Sequence, residues 1–402
     1  MASIRKRIWR LKDSRDNVIV DKDGKPIERS AWVVDYADQA GKRRLKTFST
    51  KRDAEAWAVT ALHEVKQGTH TPASMSVTVT EAAERWISDC EANGLEFGTI
   101  KQRKGHLRLH IGPLLGYEKL SSLTTPRIHQ FDADLRNKGC SLSMRKKVLT
   151  NLKTILTFAK SQGLVAQNVA LDVRIKSNDR NQSTGPLREG HDYPTRAELR
   201  TMIDKASGRW RPLLITAIFT GMRASELRGL RWQDVDLDAG VIHVRQRADA
   251  WRNIGKPKSA AGSRDIPLSP MVINSLSQWK DSCPAGTHGL VFPNGRGNIE
   301  SHANIRNRFF VPLQLENSLS VDTGKLDSDG NPIMAAKYGF HALRHTAASL
   351  FIAHLGWTPK RVQAVMGHSS VTMTFDRYGH LFEDHEGDRE AMKKLEAAVV
   401  AA

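Results

Sequence analysis

The chain has 402 residues, of which 61 are Lys or Arg and 43 are Asp or Glu, so its formal net charge is +18. A hydrophobic content of 40% is enough to build cores, which excludes wholesale disorder. No apolar run reaches the ~18 residues of a membrane helix, which excludes an integral membrane protein, and the basic surplus favours a polyanionic partner such as nucleic acid.

The first segment, residues 1–70, predicts a small β-sheet followed by one helix. Ala31–Tyr36 and Lys42–Phe48 have the composition of two strands joined by a turn, and Val18–Val20 offers a further strand. An amphipathic helix then follows, with its apolar residues on one stripe. The stretch Gly68–Ser76, rich in Thr, Ser and Pro, is predicted as a linker.

The second segment, residues 77–178, predicts a compact bundle of four short helices. The second helix is basic. The fourth, from about Ser141 to Ser161, carries a basic cluster in its first turns. The polar stretch Asn178–His191 is predicted as a second linker.

The third segment, residues 191–402, predicts helices that alternate with a small antiparallel sheet, in which Val241–Val244 pairs with Arg264–Leu268. A turn inside Ser320–Gly339 predicts an inserted hairpin, to which the sequence assigns no role. A final Ala-rich helix is predicted at Glu390–Ala402. The fold class is therefore α+β and multidomain, with a sheet plus helix, a helical bundle and a mainly α third domain.

Four clusters in the third segment carry side chains suited to chemistry at a phosphate. They are Arg223 in TGMRASELRGL, Lys256 and Lys258 in KPKS, His341 with Arg344 and His345 in HALRH, and His368 in MGHSS followed by Tyr378. A Gly just before Arg223 lets the chain turn tightly into a helix, where a guanidinium and a helix N-terminus can face one anion. Taken singly, each cluster is more often structural than catalytic.

The same region could also be interpreted as holding a zinc site or a calcium site, but the sequence supports these interpretations less well. His341 and His345 have the spacing of a zinc pair, but the Glu of a HExxH site and an obvious third ligand are absent from the sequence. Asp234, Asp236 and Asp238 resemble the start of a calcium loop, but the glycine and glutamate that such a loop requires are missing. We predict no metal site.

In chain order, the Arg, Lys, His-x-x-Arg, His and Tyr resemble the motifs of the tyrosine recombinases, also called phage-type integrases. The resemblance implies six catalytic residues: Arg223, Lys258, His341, Arg344, His368 and the nucleophile Tyr378. Lys256 is an alternative to Lys258, Glu226 is interpreted as orienting Arg223, and His345 either supports the fold or takes part in catalysis. The resemblance further implies an arm-type DNA-binding domain at 1–70, a core-binding, SAM-like domain at 77–178 and a catalytic domain at 191–402.

The chemistry of phosphodiester cleavage independently fits these residue types. Two arginines can hold the non-bridging oxygens, and a tyrosine hydroxyl can attack phosphorus to give a covalent ester. A lysine can protonate the leaving 5′ oxygen while a histidine assists proton transfer. The family forms a 3′-phosphotyrosine that retains the bond energy, which implies a reaction without metal, ATP or other cofactor. The resemblance also implies a site-specific integrase that inserts, and excises, a phage or other mobile element.

Basic side chains outside these motifs are candidate DNA contacts, the alternative being solvated helix faces. For a core site they are Lys101, Arg103, Lys104, Arg145, Lys146 and Lys147, and for an arm site Arg43, Arg44 and Lys46. The resemblance implies double-stranded DNA with core and arm attachment sites, and a homotetramer in the synaptic complex. It makes a directionality factor and a DNA-bending host protein candidate partners, and a membrane is not expected.

The three cysteines, Cys90, Cys140 and Cys283, have neither zinc spacing nor a disulfide framework, and no signal peptide is predicted. We therefore expect a protein of the bacterial cytoplasm, associated with the nucleoid. A chromosome-dimer resolvase of the same family is a rival, but such enzymes generally lack a domain like residues 1–70. A type IB topoisomerase-like enzyme and an inactive DNA-binding regulator are further rivals; the helical second segment disfavours the former and the complete motif set the latter.

Overall fold

A computed structural model divides the chain into two compact units, residues 1–179 and 180–402. It describes residues 2–38, 41–66, 72, 75–176, 186–382, 392 and 395–398. Helices combine with small antiparallel sheets, so the predicted α+β class is confirmed. Most of the predicted final helix and of both predicted linkers lies outside the described residues; residues 392 and 395–398 of that helix are described and are helical. Within the described part of the chain, no helix combines the length and the apolar character of a membrane span.

The first unit begins with a three-stranded antiparallel sheet and one helix. The bounds are β1 Ser3–Arg10, β2 Glu28–Ala37, β3 Arg43–Phe48 and α1 Lys51–Lys66. The strand β2 is central, and it pairs Val34 with Ile4 of β1 and with Lys46 of β3. Side chains alternate across a strand, so these three share one face, and α1 packs on it through the buried Ala54 and Ala58.

The prediction of a sheet strand at Val18–Val20 is wrong. The outer strand is instead β1, and Val18–Val20 forms isolated bridges to Lys12 and Pro26 in the turns between β1 and β2. Nearly all of β1 is exposed, because an edge strand with charged side chains buries little of either face. Without a buried face, the apolar alternation that marks a strand in a sequence is weak.

The rest of the first unit is a helical bundle with its own core. Its helices are α2 Val79–Ala92, α3 Phe97–His106, α4 Gly112–Leu115, α5 Thr125–Asn137 and α6 Leu142–Ser161. A π-helical turn, Leu107–Ile111, joins α3 to α4, so the predicted second helix runs on without a break. The core is packed from fully buried side chains such as Phe131, Leu152 and Ile155.

The second unit packs its other helices and its short strands around two apolar helices. Its helices are α7 Arg196–Lys205, α8 Trp210–Thr220, α9 Ala224–Gly229, α10 Pro270–Ser282, α11 His302–Asn304, α12 Val311–Leu315, α13 Ala342–Ala353, α14 Pro359–Met366 and α15 Val371–Tyr378. Its strands are β4 Val235–Asp236, β5 Val241–Val244, β6 Arg247–Ala248, β7 Ile254–Gly255, β8 Arg264–Pro267, β9 Ser320–Leu326 and β10 Pro332–Ala336. Most side chains of α8 and α13 are buried, and these helices form the centre of the core.

Two predicted strand pairings in this unit are confirmed. The strand β5 lies between β4 and β8, and it pairs Val244 with Arg264 as expected. The strands β9 and β10 form the predicted inserted hairpin between α12 and α13. At its tip the carboxylate of Asp327 accepts backbone hydrogen bonds from Asp329 and Asn331, which is typical of a tight Asx turn.

Candidate active site

A sharp turn after α8 positions Arg223. The helix ends at Gly221, whose φ of 61° lies in the left-handed region. A Cβ at this position would come within 2.8 Å of the Met366 sulfur and 2.9 Å of the Ala347 Cβ, so only glycine fits. Two residues later Arg223 is the N-cap of α9, as the sequence predicts.

A buried carboxylate fixes the orientation of Arg223. Glu226 is 2% exposed, and it accepts hydrogen bonds from Arg264 at 2.9 and 3.1 Å and from Nη1 of Arg223 at 2.8 Å. Burial raises the pKa of Glu226, but the bonds and charges of the arginines outweigh burial and hold it below its usual value. Glu226 is therefore ionised, and it orients Arg223 as the sequence suggested. Sequence analysis missed Arg264, since nothing in its spacing points to Glu226.

Arg344 reaches the same corner of the unit from α13. It is 4% exposed and donates to the carbonyl of Gly221 at 2.7 Å and to that of Met366 at 2.5 Å. Arg223 donates to the next carbonyl, that of Gly367, at 2.9 Å. Burial, with the nearby charge of Arg223, lowers the pKa of Arg344 to about 9, so it remains a cation at neutral pH. Two guanidinium groups thus converge where α8 and α14 end.

His368 lies beside this arginine pair. The chain leaves α14 through Gly367 (φ 65°), and His368 follows with 6% of its surface exposed. Its Nδ1 lies 2.9 Å from the hydroxyl of Thr374. Burial and the charges of Arg344 and Arg223 lower the pKa of His368 to about 3, so the imidazole is neutral at physiological pH.

Tyr378 and the two histidines of HALRH form a second, adjoining group. Tyr378 ends α15, is 1% exposed, and places its hydroxyl 2.7 Å from Nδ1 of His345. Burial raises the pKa of Tyr378 to about 12, and burial with the neighbouring His341 lowers that of His345 to about 4. With His345 neutral, its Nδ1 accepts the hydroxyl proton in the tautomer that carries its own proton on Nε2. The His341 ring packs edge-on against His345, with 5.0 Å between centroids, and burial lowers its pKa.

Both candidate lysines lie in one exposed loop between β7 and β8. Lys256 and Lys258 are exposed there, ahead of the strand as predicted. The far end of this loop packs against the site, since a Cβ at Gly367 would lie 2.9 Å from the carbonyl oxygen of Ala261. Ala261, three residues after Lys258, thus anchors the loop. Lys256 remains an alternative to Lys258 as the catalytic lysine.

The candidate DNA contacts of the bundle fall into two kinds. Arg145 forms a two-point ion pair with Asp132, and Arg103 stacks over the Trp86 ring at 4.4 Å. These two guanidinium groups hold the bundle together. The exposed members of the set are Lys101, Lys104, Lys146 and Lys147, of which Lys104 pairs with Glu91 at 2.7 Å.

Two of the three candidate arm contacts lie on the helix-covered face of the N-terminal sheet. Arg44 pairs with Asp38 at 2.8 Å, and Nζ of Lys46 lies 4.5 Å from the centroid of the Trp57 ring. Burial lowers the pKa of Lys46. Both side chains therefore contribute to packing between the sheet and α1.

The third candidate, Arg43, lies on the opposite face, which α1 does not cover. Strand register places Arg5 and Arg7 of β1 and Arg29 of β2 on this face too. All four arginines are exposed, and Arg5 and Arg43 flank the buried carboxylate of Asp35. Sequence analysis missed Arg5, Arg7 and Arg29 because β1 was not predicted; the alternation of basic residues in SIRKRIWR was the available signal.

Comparison with known proteins connects this site to a family. Residues 195–385 match the model of the phage integrase family. A tyrosine recombinase XerC-like protein of Caldanaerobacter subterraneus is 24% identical over 391 residues, covering 90% of this chain and 94% of the relative.

Two solved structures share the fold. The Tn1549 transposon integrase in complex with a circular intermediate DNA superposes with a TM-score of 0.62 at 21% identity, covering 80% of this chain and 100% of that one. A lambda integrase tetramer bound to a Holliday junction gives 0.56 at 19% identity, covering 89% and 96%. Most of the chain therefore has the architecture of an integrase.

Proposed function

Because the chain is a tyrosine recombinase whose residues 195–385 form a phage integrase domain, we propose that it integrates and excises a phage or other mobile element at specific DNA sites. The observation that carries this proposal is the convergence of Arg223 and Arg344 on one corner, beside the buried hydroxyl of Tyr378. A pair of cations next to a tyrosine suits phosphodiester cleavage without a metal, because the cations stabilise the transition-state charge and the hydroxyl supplies the nucleophile.

Each residue has a distinct task in the proposed reaction. Arg223 and Arg344 bind the non-bridging oxygens of the scissile phosphate and stabilise the charge of the transition state. The Tyr378 oxygen attacks phosphorus to form the 3′-phosphotyrosine, and Lys258 protonates the leaving 5′ oxygen. His341 and His368 donate hydrogen bonds or relay protons at the phosphate.

This chemistry needs no cofactor. The two guanidinium groups supply the positive charge that a metal ion supplies in other phosphoryl-transfer enzymes. The phosphotyrosine ester retains the energy of the broken bond, so rejoining by a second 5′ hydroxyl needs no ATP.

The first unit supplies two further DNA contacts in this proposal. Residues 1–70 bind an arm site through the uncovered sheet face of Arg5, Arg7, Arg29 and Arg43. Residues 77–178 bind the core site, with Lys101, Lys146 and Lys147 as phosphate contacts. Exposure and positive charge support both assignments, because phosphate contacts need accessible cations.

We further propose that four copies assemble in the synaptic complex, in the bacterial cytoplasm and on the nucleoid. Support comes from the fold shared with lambda integrase, which was solved as a tetramer on a Holliday junction. A directionality factor and a DNA-bending host protein would select between integration and excision, since arm and core sites lie apart and the intervening DNA must bend.

Recombination between two plasmids tests the proposal. The sites are the short direct repeats expected to flank the integrated element, one cloned in each plasmid, and the buffer contains EDTA and no ATP. We expect joined products with the purified protein, and none with Tyr378→Phe. Failure of the wild-type protein in EDTA, with recovery on adding Mg²⁺, would contradict the mechanism.

A further inference from the structure

We propose that His345 is the proton acceptor for Tyr378 during strand cleavage, an inference that rests on the proposed function. The first observation is geometric: the Tyr378 hydroxyl oxygen lies 2.7 Å from Nδ1 of His345, which accepts its proton when the ring carries its own proton on Nε2. The second is burial, since Tyr378 is 1% exposed and bulk water has little access to its proton. A general base must lie within hydrogen-bond reach of the proton it removes, and His345 does.

The charges around His345 make its basicity depend on bound DNA. Two cations face it, Arg344 from its own helix and Arg377 from α15, while the His341 ring lies beside it and Asp192 faces it as the nearby negative group. Burial and these cations hold the imidazole unprotonated, so it can accept a proton but attracts one weakly. A phosphodiester on Arg223 and Arg344 would bring negative charge into this cluster and raise the affinity of His345 for a proton.

The remaining titratable neighbours do not compete for this role. His368 interacts electrostatically with His345 but directs its Nδ1 to Thr374. Tyr193 interacts with Tyr378, and its hydroxyl accepts a hydrogen bond from Ser349. Among the described residues, His345 is thus the one whose ring nitrogen lies within hydrogen-bond distance of the Tyr378 hydroxyl.

Strand cleavage in this proposal moves two protons. The O–H bond of Tyr378 breaks as its oxygen forms a bond to phosphorus, and the proton moves to Nδ1 of His345, which becomes an imidazolium. The bond from phosphorus to the 5′ oxygen breaks, and that oxygen takes a proton from Lys258. In rejoining, the 5′ hydroxyl oxygen attacks phosphorus and its proton passes to Lys258, while the bond from phosphorus to the tyrosine oxygen breaks and His345 returns its proton to Tyr378.

Single-turnover cleavage of a nicked suicide duplex carrying the direct repeat tests this role. We expect His345→Ala to slow formation of the covalent adduct by about 100-fold, the scale of general base catalysis. Its rate should keep rising up to about pH 9, because Tyr378 must lose its proton to solvent, whereas the wild-type rate levels off above about pH 7. His345→Asn keeps an acceptor near the Nδ1 position but no base, so it should fold normally and show the same rising profile.

The matched control is His354→Ala, since His354 is an exposed histidine at the end of the same helix. It should cleave at the wild-type rate. The inference is overturned if His345→Ala cleaves as fast as the wild type or faster, or if its slower rate has the wild-type pH profile, which would mark a structural role. An absence of adduct in the wild-type protein would instead overturn the proposed function.

A substrate with sulfur in place of the bridging 5′ oxygen distinguishes loss of the general base, His345, from loss of the general acid, Lys258. A thiolate leaves without a proton, so the double variant Lys256→Ala/Lys258→Ala should recover most of its cleavage rate on this substrate. His345→Ala should not recover, because its defect lies at the attacking oxygen. Equal recovery of His345→Ala would assign it to the leaving group and contradict the inference.

Discussion

At the scale of single residues, the site holds charged arginines beside neutral histidines within a small buried volume. Glu226 balances the charges of Arg264 and Arg223, and two backbone carbonyls accept hydrogen bonds from Nη1 and Nη2 of Arg344. For His345 and His368, burial beside positive charge lowers the pKa and keeps both rings neutral. A phosphate would supply the missing negative charge.

We predict that His368 makes the protein sensitive to acid. Its pKa is about 3 in the folded state against about 6.5 when unfolded, so between these values the unfolded chain binds a proton that the folded chain does not. Stability is therefore fully present above about pH 6.5 and falls by about 1.4 kcal/mol per pH unit for this histidine as the pH drops. Urea unfolding from pH 7 to pH 5 measures this effect. The free energy of unfolding of His368→Asn should change less with pH than that of the wild type, by the equivalent of one proton. An unchanged slope would contradict the assignment.

At the scale of elements, helix ends build the site. The helices α8 and α14 both end in left-handed glycines, and the carbonyls of Gly221 and Gly367 accept hydrogen bonds from the two arginines. The site therefore depends on backbone geometry as well as on motif side chains. This explains why the glycines of TGMR and MGHSS belong to their motifs.

Replacing Gly367 tests this dependence against a matched glycine. Gly356 also has a positive φ, of 59°, but a Cβ there would meet open space, whereas a Cβ at Gly367 would lie 2.9 Å from the Ala261 carbonyl oxygen. Both Ala variants should lose about 1–2 kcal/mol of stability from the left-handed conformation. Only Gly367→Ala should also lose adduct formation, measured on the suicide duplex at a temperature where both variants are folded. Equal activity in the two variants would show that the carbonyl position is unimportant.

The basic residues in the first turns of α6 allow the effect on DNA binding to be measured separately from the effect on stability. Lys146 and Lys147 are exposed, whereas Arg145 has a side chain only 12% exposed and pairs with Asp132. We expect Lys146→Ala/Lys147→Ala to weaken core-DNA binding and to reduce the slope of log Kd against log salt by up to about 2, with an unchanged Tm. Arg145→Ala should lower Tm. Calorimetry and fluorescence anisotropy measure the two effects, and a reversed pattern would contradict the division.

The elements also show where sequence patterns were sufficient. The pairing of Val244 with Arg264 and the inserted hairpin follow from alternation and turn residues. The edge strand β1 was missed, because a strand that buries neither face leaves little apolar alternation to detect. The π-helical turn at Leu107–Ile111 was not predicted either; it lies directly before Gly112 and a helix with a proline in its first turn.

At the scale of the whole molecule, the net charge of +18 divides by position. Residues 1–70 carry 16 basic and 10 acidic side chains, residues 71–190 carry 18 and 11, and the remainder carry 27 and 22. The excess per residue is thus highest in the first unit, whose exposed cations are proposed to grip DNA. In the second unit the cations that matter most are partly or fully buried at one corner.

The order of the motifs along the chain predicted the family, and the phage integrase match confirms it. The side chains of the site come from residues far apart in sequence. Their order along the chain was enough to predict the family, but it did not predict which side chains contact each other. The bonds from Tyr378 to His345 and from Arg264 to Glu226 join separate elements, and no local spacing reveals them. The fold was needed to find both partners.

The most direct test of the account is the covalent bond itself. The protein is incubated with a nicked suicide duplex, the adduct is digested, and the modified peptide is identified by mass spectrometry. We predict one 3′-phosphotyrosine, at Tyr378, and its loss in Tyr378→Phe, which should still bind the duplex. An adduct that persists in Tyr378→Phe, or that maps to another of the five tyrosines, would contradict the account.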